Sequence, residues 1–352
     1  MKKFLSIIFL ISLAMIISGC KKEKDIIYKG HPIYGFSPGS IDELKEFYEA
    51  GYTIVEPGIY LTNLSWLENL DYLSNVRQVN GAISINGNDH LVSVEGLNNL
   101  EYINDYKNAH GYLRFQYNNE VKDLNGFINL KSISGSFYVY YNDELESISG
   151  FNNLQTISGS LDIGLNNKLK QINGFNKINS IYGIQIHESN AFKVISGFED
   201  IEKIEYLEIN LNSNLESITG FKNLNSVRFL IIKKNSKLAD LKGFINLTDV
   251  SDQINISKNA TLKDISHLDN LKTIGKKIVI SECPGLTNLN GLGNTYLSEI
   301  YFEVNITNNV ALTDFCALKT PFSEASPFMN VTITGNSFNP TREDIIAGNC
   351  SQ

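Results

Sequence analysis

The chain has 352 residues, of which 42% are hydrophobic and 19% charged, and its formal net charge at pH 7 is −8. That length would suit two ordinary domains, and the acidic balance disfavours nucleic acid or an anionic membrane surface as partner. The five histidines are dispersed without the spacing of a zinc site, and no phosphate-binding loop or nucleophile elbow occurs. The sequence therefore predicts no metal and no cofactor.

The N-terminal residues have the arrangement of a secretion signal peptide. Lys2 and Lys3 precede an apolar run from Phe4 to Ile17 that is too short to span a bilayer comfortably. The run ends in ISGC at Cys20, which resembles the bacterial lipobox, in which the cysteine receives lipid and becomes the mature N-terminus. The alternative is an ordinary signal peptide, residues 1–19, followed by a chance cysteine.

Lipid on Cys20 would anchor the chain to a membrane without a transmembrane helix. Cleavage would remove two lysines and change the net charge from −8 to −10. No Asp follows Cys20 directly, which by resemblance to the sorting rules of some bacteria favours the outer membrane. We therefore expect a cell-envelope protein, lipid-anchored at the outer membrane, with either the periplasmic or the external face open. Residues 20–39 are expected to form a tether.

A helix is predicted over residues 40–51. Ser40 can be its N-cap, Glu43 can complete a capping box, and Gly51 lies near its end. The apolar residues of this segment fit one helical face, so the helix should cover the first coil of a repeat that begins at residue 52.

The next and longest part of the chain is this repeat. Glycine followed by Phe or Leu recurs in steps of 30, 24, 24, 23, 23 and 23 residues, and His267 fills the glycine position once before the last. A continuous repeat makes one solenoid more probable than two domains. The repeated glycines are Gly96, Gly126, Gly150, Gly174, Gly197, Gly220, Gly243 and Gly291.

Each repeat has two parts with different periods. The first part alternates apolar and polar residues, as in Leu161-Asp162-Ile163, which indicates a strand with one buried face. The second part places an apolar residue at every third position, a spacing that would drift around an α-helix. We therefore predict a mainly β, right-handed parallel β-solenoid of about 10–11 coils over residues 52–338, with short helical caps at both ends.

One polar column is expected inside the solenoid, three residues after the second apolar position of each strand. An amide offers two donors and an acceptor, so a stacked column of Asn can satisfy backbone groups at the corner of every coil. Ser189 and Cys283 replace Asn in two coils. The predicted ladder consists of Asn88, Asn118, Asn142, Asn166, Asn212, Asn235, Asn259, Asn309 and Asn336.

The motif resembles the receptor L-domain family, a branch of the leucine-rich-repeat-like solenoids. The stretch GSLDIGLNNKLKQINGFNKI, residues 159–178, is close to the family pattern, and the resemblance covers roughly residues 65–338. Family members are extracellular ligand-binding parts of receptors and cell-surface proteins. The resemblance therefore implies binding of a protein or glycan ligand, and it implies no catalysis.

The C-terminal residues 339–352 are predicted to cap the solenoid. A short helix should begin near Asn339 with Pro340 at its first position. Outside the cytoplasm a disulfide is allowed, and we expect Cys316 to pair with Cys350, leaving Cys283 as a small buried thiol.

Aromatic residues crowd two neighbouring coils. Equivalent positions become neighbours in a parallel stack, so these residues should gather on one outer surface, beside an insertion at about residues 103–110. Tyrosine has a flat apolar face and a polar tip, which suits glycans and protein partners, but it also simply favours strands. The candidate ligand-binding residues are Tyr112, Arg114, Tyr117, Tyr138, Tyr140 and Tyr141.

Two alternative functions stay open. Parallel β-helices include polysaccharide-active enzymes, and Asp162, His187 and Glu208 should lie near one another as a candidate acid/base group on the outer face. A purely structural protein of the cell envelope is the other alternative.

Overall fold

The computed structural model describes residues 25–30 and 35–352. In this part of the chain, twelve main strands form one parallel sheet, and each pairs in register with its neighbours. Leu161, for example, lies opposite Phe137 on one side and Ile184 on the other. The prediction of a mainly β parallel solenoid is confirmed. The main strands are Gly58–Thr62, Ala82–Asn86, Leu113–Gln116, Phe137–Tyr140, Thr156–Gly164, Ser180–His187, Lys203–Asn210, Ser226–Lys233, Asp249–Ser257, Lys277–Ser281, Glu303–Thr307 and Asn330–Thr334.

A second row of short strands lies just before the main strands in the chain. In the five central coils this row is continuous with the main strand, which accounts for the greater length of those strands. In the outer coils the short strands are separate elements. These are Ile27–Lys29, Ile54–Glu56, Gln78–Asn80, Tyr102–Asn104, Ser132–Ile133, Thr273–Ile274 and Tyr296–Leu297.

The third side of each coil has little regular structure. Short strands pair there in two places, Ser147–Ile148 with Gln171–Ile172 and Val194–Ile195 with Ser217–Ile218. Single 3₁₀ turns carry many of the glycine-containing segments of the repeat. These turns are Asp71–Leu73, Glu95–Leu97, Asn125–Phe127, Lys242–Phe244, Ser266–Leu268, Asn290–Leu292 and Cys316–Leu318.

The core is built from the two apolar periods of the repeat. Alternate strand residues such as Phe137 and Val139 are fully buried, and so are the residues at every third position after them. Six phenylalanines of successive coils form an internal stack with ring centroids 4.9–6.0 Å apart. They are Phe127, Phe151, Phe175, Phe198, Phe221 and Phe244.

At five of these six positions, the glycine before the phenylalanine is required by close packing between coils, whereas Gly197 is required by its φ angle of +98°. A Cβ atom on Gly126 would lie 1.8 Å from the carbonyl oxygen of Val94, and one on Gly243 would lie 2.0 Å from that of Gly220. These partners are backbone atoms, so they cannot move aside as a flexible side chain could. The repeated glycine therefore sets how closely two coils approach.

The asparagine column is buried and ties each coil to the next. The Asn142 backbone N–H donates to Asn166 Oδ1 at 3.0 Å, while Asn142 Nδ2 donates to the carbonyls of Phe115 and Tyr140 at 3.2 and 2.9 Å. The same pattern recurs along the stack, and Ser189 Oγ accepts from the Asn166 N–H in its place at 3.2 Å. Each amide thus satisfies backbone donors and acceptors that are sealed from water.

The residue before each ladder position adopts a left-handed backbone conformation. Its φ angle is +56° at Tyr117, +53° at Tyr141 and +50° at Glu188, and similar values recur at the other corners. A non-glycine residue in this conformation costs about 1 kcal/mol. The conformation recurs in coil after coil because the turn directs the following Asn inward.

The described residues contain one more main strand than the 10 or 11 coils expected. The coil without a residue in the predicted ladder is the first, which lies within the predicted range 52–338: its strand Gly58–Thr62 is followed by Leu64 where an asparagine would stand. The Leu64 N–H donates to Asn88 Oδ1 at 3.1 Å. The Leu64 backbone therefore bonds to the first asparagine of the ladder, but its side chain has no amide to extend the ladder. The repeat pattern in the sequence is lost at this position.

The N-terminal cap is the helix Ile41–Glu49. Ser40 accepts a hydrogen bond from the Glu43 N–H, as an N-cap does, and Leu44 and Phe47 are buried. Glu43 reaches one residue further than a capping box requires, because its Oε2 accepts from the Gly39 N–H at 2.8 Å.

The C-terminal cap differs in detail from the expectation. Its helix spans Arg342–Ala347 with Thr341 as N-cap, so Pro340 precedes the helix and the predicted helix start was wrong. Thr341 and Asp344 form a reciprocal capping box, which fixes the later start, while Asn339 Oδ1 accepts from the Asn336 N–H at 2.9 Å and closes the asparagine ladder.

Two further features hold the C-terminal end. A short helix not foreseen from the sequence, Lys319–Glu324, packs against the last one. The structure pairs Cys316 with Cys350 in a disulfide and leaves Cys283 buried as a free thiol. Burial raises the pKa of the Cys283 thiol to about 11.

We predict that Asn235→Ala destabilises the chain much more than Asn246→Ala. Asn235 is buried, and its loss would leave the Asn212 N–H and the Ile209 carbonyl unpaired, at about 1–3 kcal/mol for each group. Asn246 belongs to an exposed column and makes one bond to the Lys222 carbonyl at 2.7 Å. Urea unfolding of both variants measures the difference, and equal losses would contradict a structural role for the buried ladder.

Candidate ligand-binding face

The six candidate residues lie on the outer side of adjacent main strands and at their corners. Arg114 is opposite Tyr138 in the sheet, and Gln116 is opposite Tyr140. The alternate residues Phe137 and Val139 point into the core and hold the strand. The register of the sheet therefore brings together side chains that are 24 residues apart in sequence.

Arg114 lies between two tyrosine rings. Its guanidinium carbon is 5.0 Å from the ring centroid of Tyr112 and 5.5 Å from that of Tyr138. Cation–π contacts of this kind fix an arginine side chain through its flat face.

The remaining tyrosines continue this contact chain toward the corner. Tyr138 and Tyr140 have centroids 6.4 Å apart, and Tyr140 is 6.4 Å from Tyr141. Tyr141 stacks on Tyr117 at 4.7 Å with an interplanar angle of 5°. Tyr117 and Tyr141 are both left-handed corner residues and are 44% and 41% exposed. All six candidates thus form one continuous surface, which we call the tyrosine face.

A groove opens beside the tyrosine face, with a volume of about 300 Å³. Tyr112, Tyr138 and His110 line it, together with serine and glycine residues of two successive coils. The small residues let a ligand approach the backbone of the sheet. They are Ser134, Gly135, Ser136, Ser158 and Gly159.

The insertion borders this groove. Residues Tyr106 and Ala109 pair with each other in a tight turn, with both backbone bonds at 3.0 Å. Asp105 Oδ1 accepts from the Gly111 N–H at 3.1 Å and lies 3.3 Å from His110 Nδ1. A hydrogen bond from Ser134, followed by those from Gly111 and His110, lowers the pKa of Asp105. The inserted turn is thereby tied to the groove wall.

Behind Tyr140 lies a half-buried polar cluster. The Tyr140 hydroxyl bonds to the Asp162 carboxylate, and Asp162 Oδ1 is 3.1 Å from His187 Nε2. Burial and then the Asp162 bond raise the pKa of Tyr140. Gly164 provides the space, because a Cβ there would lie 2.3 Å from His187 Cε1.

His187 is held between two carboxylates. Its Nδ1 is 3.6 Å from Glu188 Oε1, on the side opposite Asp162. The hydrogen bond with Asp162 raises the pKa of His187, and partial burial opposes this effect. The protonated form of His187 is therefore stabilised relative to that of a free histidine.

Glu208 forms a second polar cluster two coils beyond Asp162. It is buried and accepts a hydrogen bond from Tyr206, another from Asn210 Nδ2 at 2.8 Å, and an ion pair from Lys233 Nζ at 2.7 Å. Burial, followed by the bond to Glu208, raises the pKa of Tyr206. The three expected acid/base residues are therefore not one group: Asp162 contacts His187, while Glu208 has its own partners.

Sequence reasoning missed several parts of this surface. Tyr60 lies near Tyr112, and burial together with Tyr112 raises its pKa. The serine and glycine floor of the groove was also missed, although Ser134-Gly135-Ser136 and Ser158-Gly159-Ser160 stand at the same offset before the buried residues Phe137 and Leu161. Aligning that column across coils would have found them.

Other candidates have simpler outcomes. Cys20 lies outside the described residues. Among residues 25–30 and 35–352, no helix is long and apolar enough to cross a membrane. Over the same ranges, no three His, Cys, Asp or Glu side chains converge in a group that could hold a metal ion.

Comparisons with known proteins add little to this geometry. No family model matches the chain, and no curated protein sequence matches it. Among solved structures it is similar to an internalin from Listeria monocytogenes, with 15% sequence identity, a TM-score of 0.26, and coverage of 85% of this chain and 89% of that one. So low a score supports no conclusion about function.

We predict that the stability contributed by His187 depends on pH. A histidine whose pKa is raised on folding stabilises the protein fully below its unfolded pKa, about 6.5, and this contribution is lost as the pH rises through the folded value. The difference in unfolding free energy between the wild type and His187→Gln should therefore be larger at low pH than at high pH.

The matched control is His90→Gln, at an exposed histidine whose Nδ1 is 3.8 Å from Glu120 Oε1. Water screens that pair, so this replacement should change the unfolding free energy little. A loss for His187→Gln that stays constant from below the unfolded pKa, about 6.5, up to strongly alkaline pH would show that Asp162 and Glu188 do not hold a charged histidine.

Proposed function

We propose that the chain is a lipid-anchored, non-catalytic binding module of the bacterial cell envelope, with the tyrosine face as its site for a glycan or protein ligand. Residues 1–19 would be the signal peptide and Cys20 the lipidated residue. The tether would be shorter than the expected residues 20–39, because Ile27–Lys29 pairs with Ile54–Glu56 as a strand of the sheet and Phe36 is buried. Residues 52–338 would present the face, between caps at residues 40–51 and 339–352. Attachment at the outer membrane, with the periplasmic or the external face open, belongs to the same proposal.

The observation that carries the proposal is the continuity of the tyrosine face. Stacking of Tyr117 on Tyr141 and the position of Arg114 between two rings fix these side chains before any ligand arrives. A pre-organised surface loses little side-chain entropy on binding. Tyrosine and arginine are also the residues enriched where binding energy is concentrated.

The enzyme alternative has weaker support. A general acid or base needs a carboxyl oxygen free to face the substrate. Asp162 already interacts with Tyr140 and His187, and Glu208 with Tyr206, Asn210 and Lys233. Both carboxylates are better suited to supporting the neighbouring tyrosines than to proton transfer. The purely structural alternative gives no role to the groove beside the tyrosine face.

We expect replacement of Arg114, Tyr138 and Tyr140 by Ala to abolish ligand binding while the chain stays folded, because these side chains point outward. A glycan array and a pull-down from host cells or neighbouring bacteria measure binding. Tyr296→Ala is the matched control, at a tyrosine 50% exposed and distant in sequence from the face. Unchanged binding by the triple variant would reject the face, and turnover of a polysaccharide would favour the enzyme.

The anchor is tested separately. When expressed in a bacterium with a lipoprotein pathway, the wild type should incorporate labelled palmitate and sediment with membranes, whereas Cys20→Ser should do neither. Cys283→Ser is the control, because serine already fills the same ladder position at Ser189. Label retained by the Cys20→Ser variant would contradict lipidation at this residue.

A further inference from the structure

We propose that the ligand of the tyrosine face is an acidic glycan, whose carboxylate or sulfate binds Arg114 while a sugar ring occupies the adjacent groove. This inference rests on the proposed binding function and specifies its ligand class.

The charge surroundings of Arg114 are the first support. Its neighbours in the same outer column are Ser84 and Tyr138, neither of which carries a carboxylate. Within the described ranges its contacts are the two tyrosine rings, and no hydrogen bond or ion pair involves its guanidinium. Many other cations on the solenoid are neutralised by carboxylates of adjacent coils.

Three examples show this pattern. Lys170 Nζ is 2.7 Å from Glu146, Lys277 Nζ is 2.9 Å from Glu303, and Arg228 Nε is 3.5 Å from Asp252. In a chain of net charge −8, an arginine without such a carboxylate is available to an external anion.

The way Arg114 is held leaves its hydrogen-bond donors usable. A guanidinium is planar, and its N–H groups lie in that plane. The rings of Tyr112 and Tyr138 contact it through cation–π interactions, and among the described residues no hydrogen bond occupies its N–H donors. A carboxylate or a sulfate can therefore bind the free N–H groups of the guanidinium in a bidentate manner.

The groove supplies what a sugar requires. Tyr112 and Tyr138, the two residues that hold Arg114, also line the groove, so the cation and the groove share their walls. Tyrosine rings can pack against the apolar C–H face of a sugar, while Ser136 and Ser158 offer hydroxyl groups. A volume of about 300 Å³ is at the lower end of small-ligand sites.

A protein ligand fits this place less well. Protein interfaces have a large apolar centre, whereas the floor of this groove consists of serine and glycine. The most exposed large apolar side chains, Tyr301 at 82% and Phe328 at 69%, lie instead near the C-terminal end. Capture of a protein by the tyrosine face is thus the alternative outcome of the test.

Isothermal titration calorimetry with defined oligosaccharides tests the inference. The probes are oligogalacturonate, its neutral methyl ester, sulfated dextran oligosaccharide and unmodified dextran. We expect at least one acidic probe to bind about tenfold or more tightly than its neutral partner, and the affinity to fall as salt is added. The two acidic probes distinguish a carboxylate ligand from a sulfate ligand.

The variants assign the effect to Arg114. Arg114→Gln should weaken acidic binding by about tenfold to a hundredfold and remove the preference over the neutral probe. Arg114→Lys should recover part of it, because the charge stays but the planar fork is lost. Arg228→Gln is the matched control, since Arg228 also lies over a ring, Phe229, at 4.9 Å but pairs with acidic residues.

Each other result has a distinct meaning. Equal binding of acidic and neutral probes, or acidic binding unchanged in Arg114→Gln, overturns the inference while the binding function stands. If no glycan binds but a protein is captured and lost in the triple variant, the glycan class is wrong and the face is right. Absence of any binding overturns both.

Discussion

Backbone groups at the corner of each coil are sealed from water, and an asparagine side chain from the next coil satisfies them. These hydrogen bonds can form in only one register of the strands. Asn142 Nδ2 must reach the carbonyls of both Phe115 and Tyr140, while the backbone N–H of Asn142 reaches Asn166 Oδ1. A shift by one residue would leave buried donors and acceptors unpaired and would turn the apolar face of the strand outward. Repeated glycines such as Gly126 add a second constraint, since they set the closest approach of adjacent coils.

The outer surface is a consequence of this register. Once the strands are aligned, residues of neighbouring coils lie side by side, and the tyrosine face results from what the chain places at those positions. Tyr117 and Tyr141 are the left-handed residues that directly precede two asparagines of the ladder. Their own side chains point outward at these corners, where they stack. Behind them, Asp162 of the next coil bonds to the Tyr140 hydroxyl, and His187 of the coil after that bonds to Asp162. The features of the fold and of the proposed site therefore arise from the same stacking.

Most of the fold could be predicted from the sequence because its determinants are local and recur in coil after coil. Alternation in segments such as Leu161-Asp162-Ile163 indicates a strand, and the constant offset of Asn166 indicates the ladder. Prediction was poorest where the repeat stops. Leu64 breaks the pattern at the first corner, and at the other end the capping box of Thr341 and Asp344 decides the helix start.

The residues of the site could be predicted from the sequence, but the contacts that their side chains make could not. Stacking alone placed Tyr138 beside Arg114, but which partner a side chain chooses depends on rotamers and on space. Gly164 makes room for His187 to reach Asp162, and no pattern in the sequence indicates that contact. For the same reason Asp162 and Glu208 were expected to form one group, although each has separate partners in the structure.

The central claim is that a ligand binds where the register brings Tyr112, Arg114 and Tyr138 together. Hydrogen–deuterium exchange of the chain with and without saturating ligand tests it most directly. The account predicts added protection in residues 104–117 and 134–141, which form the groove and the tyrosine face. Protection confined to residues 298–302 and 326–334, around the exposed Tyr301 and Phe328, would contradict it.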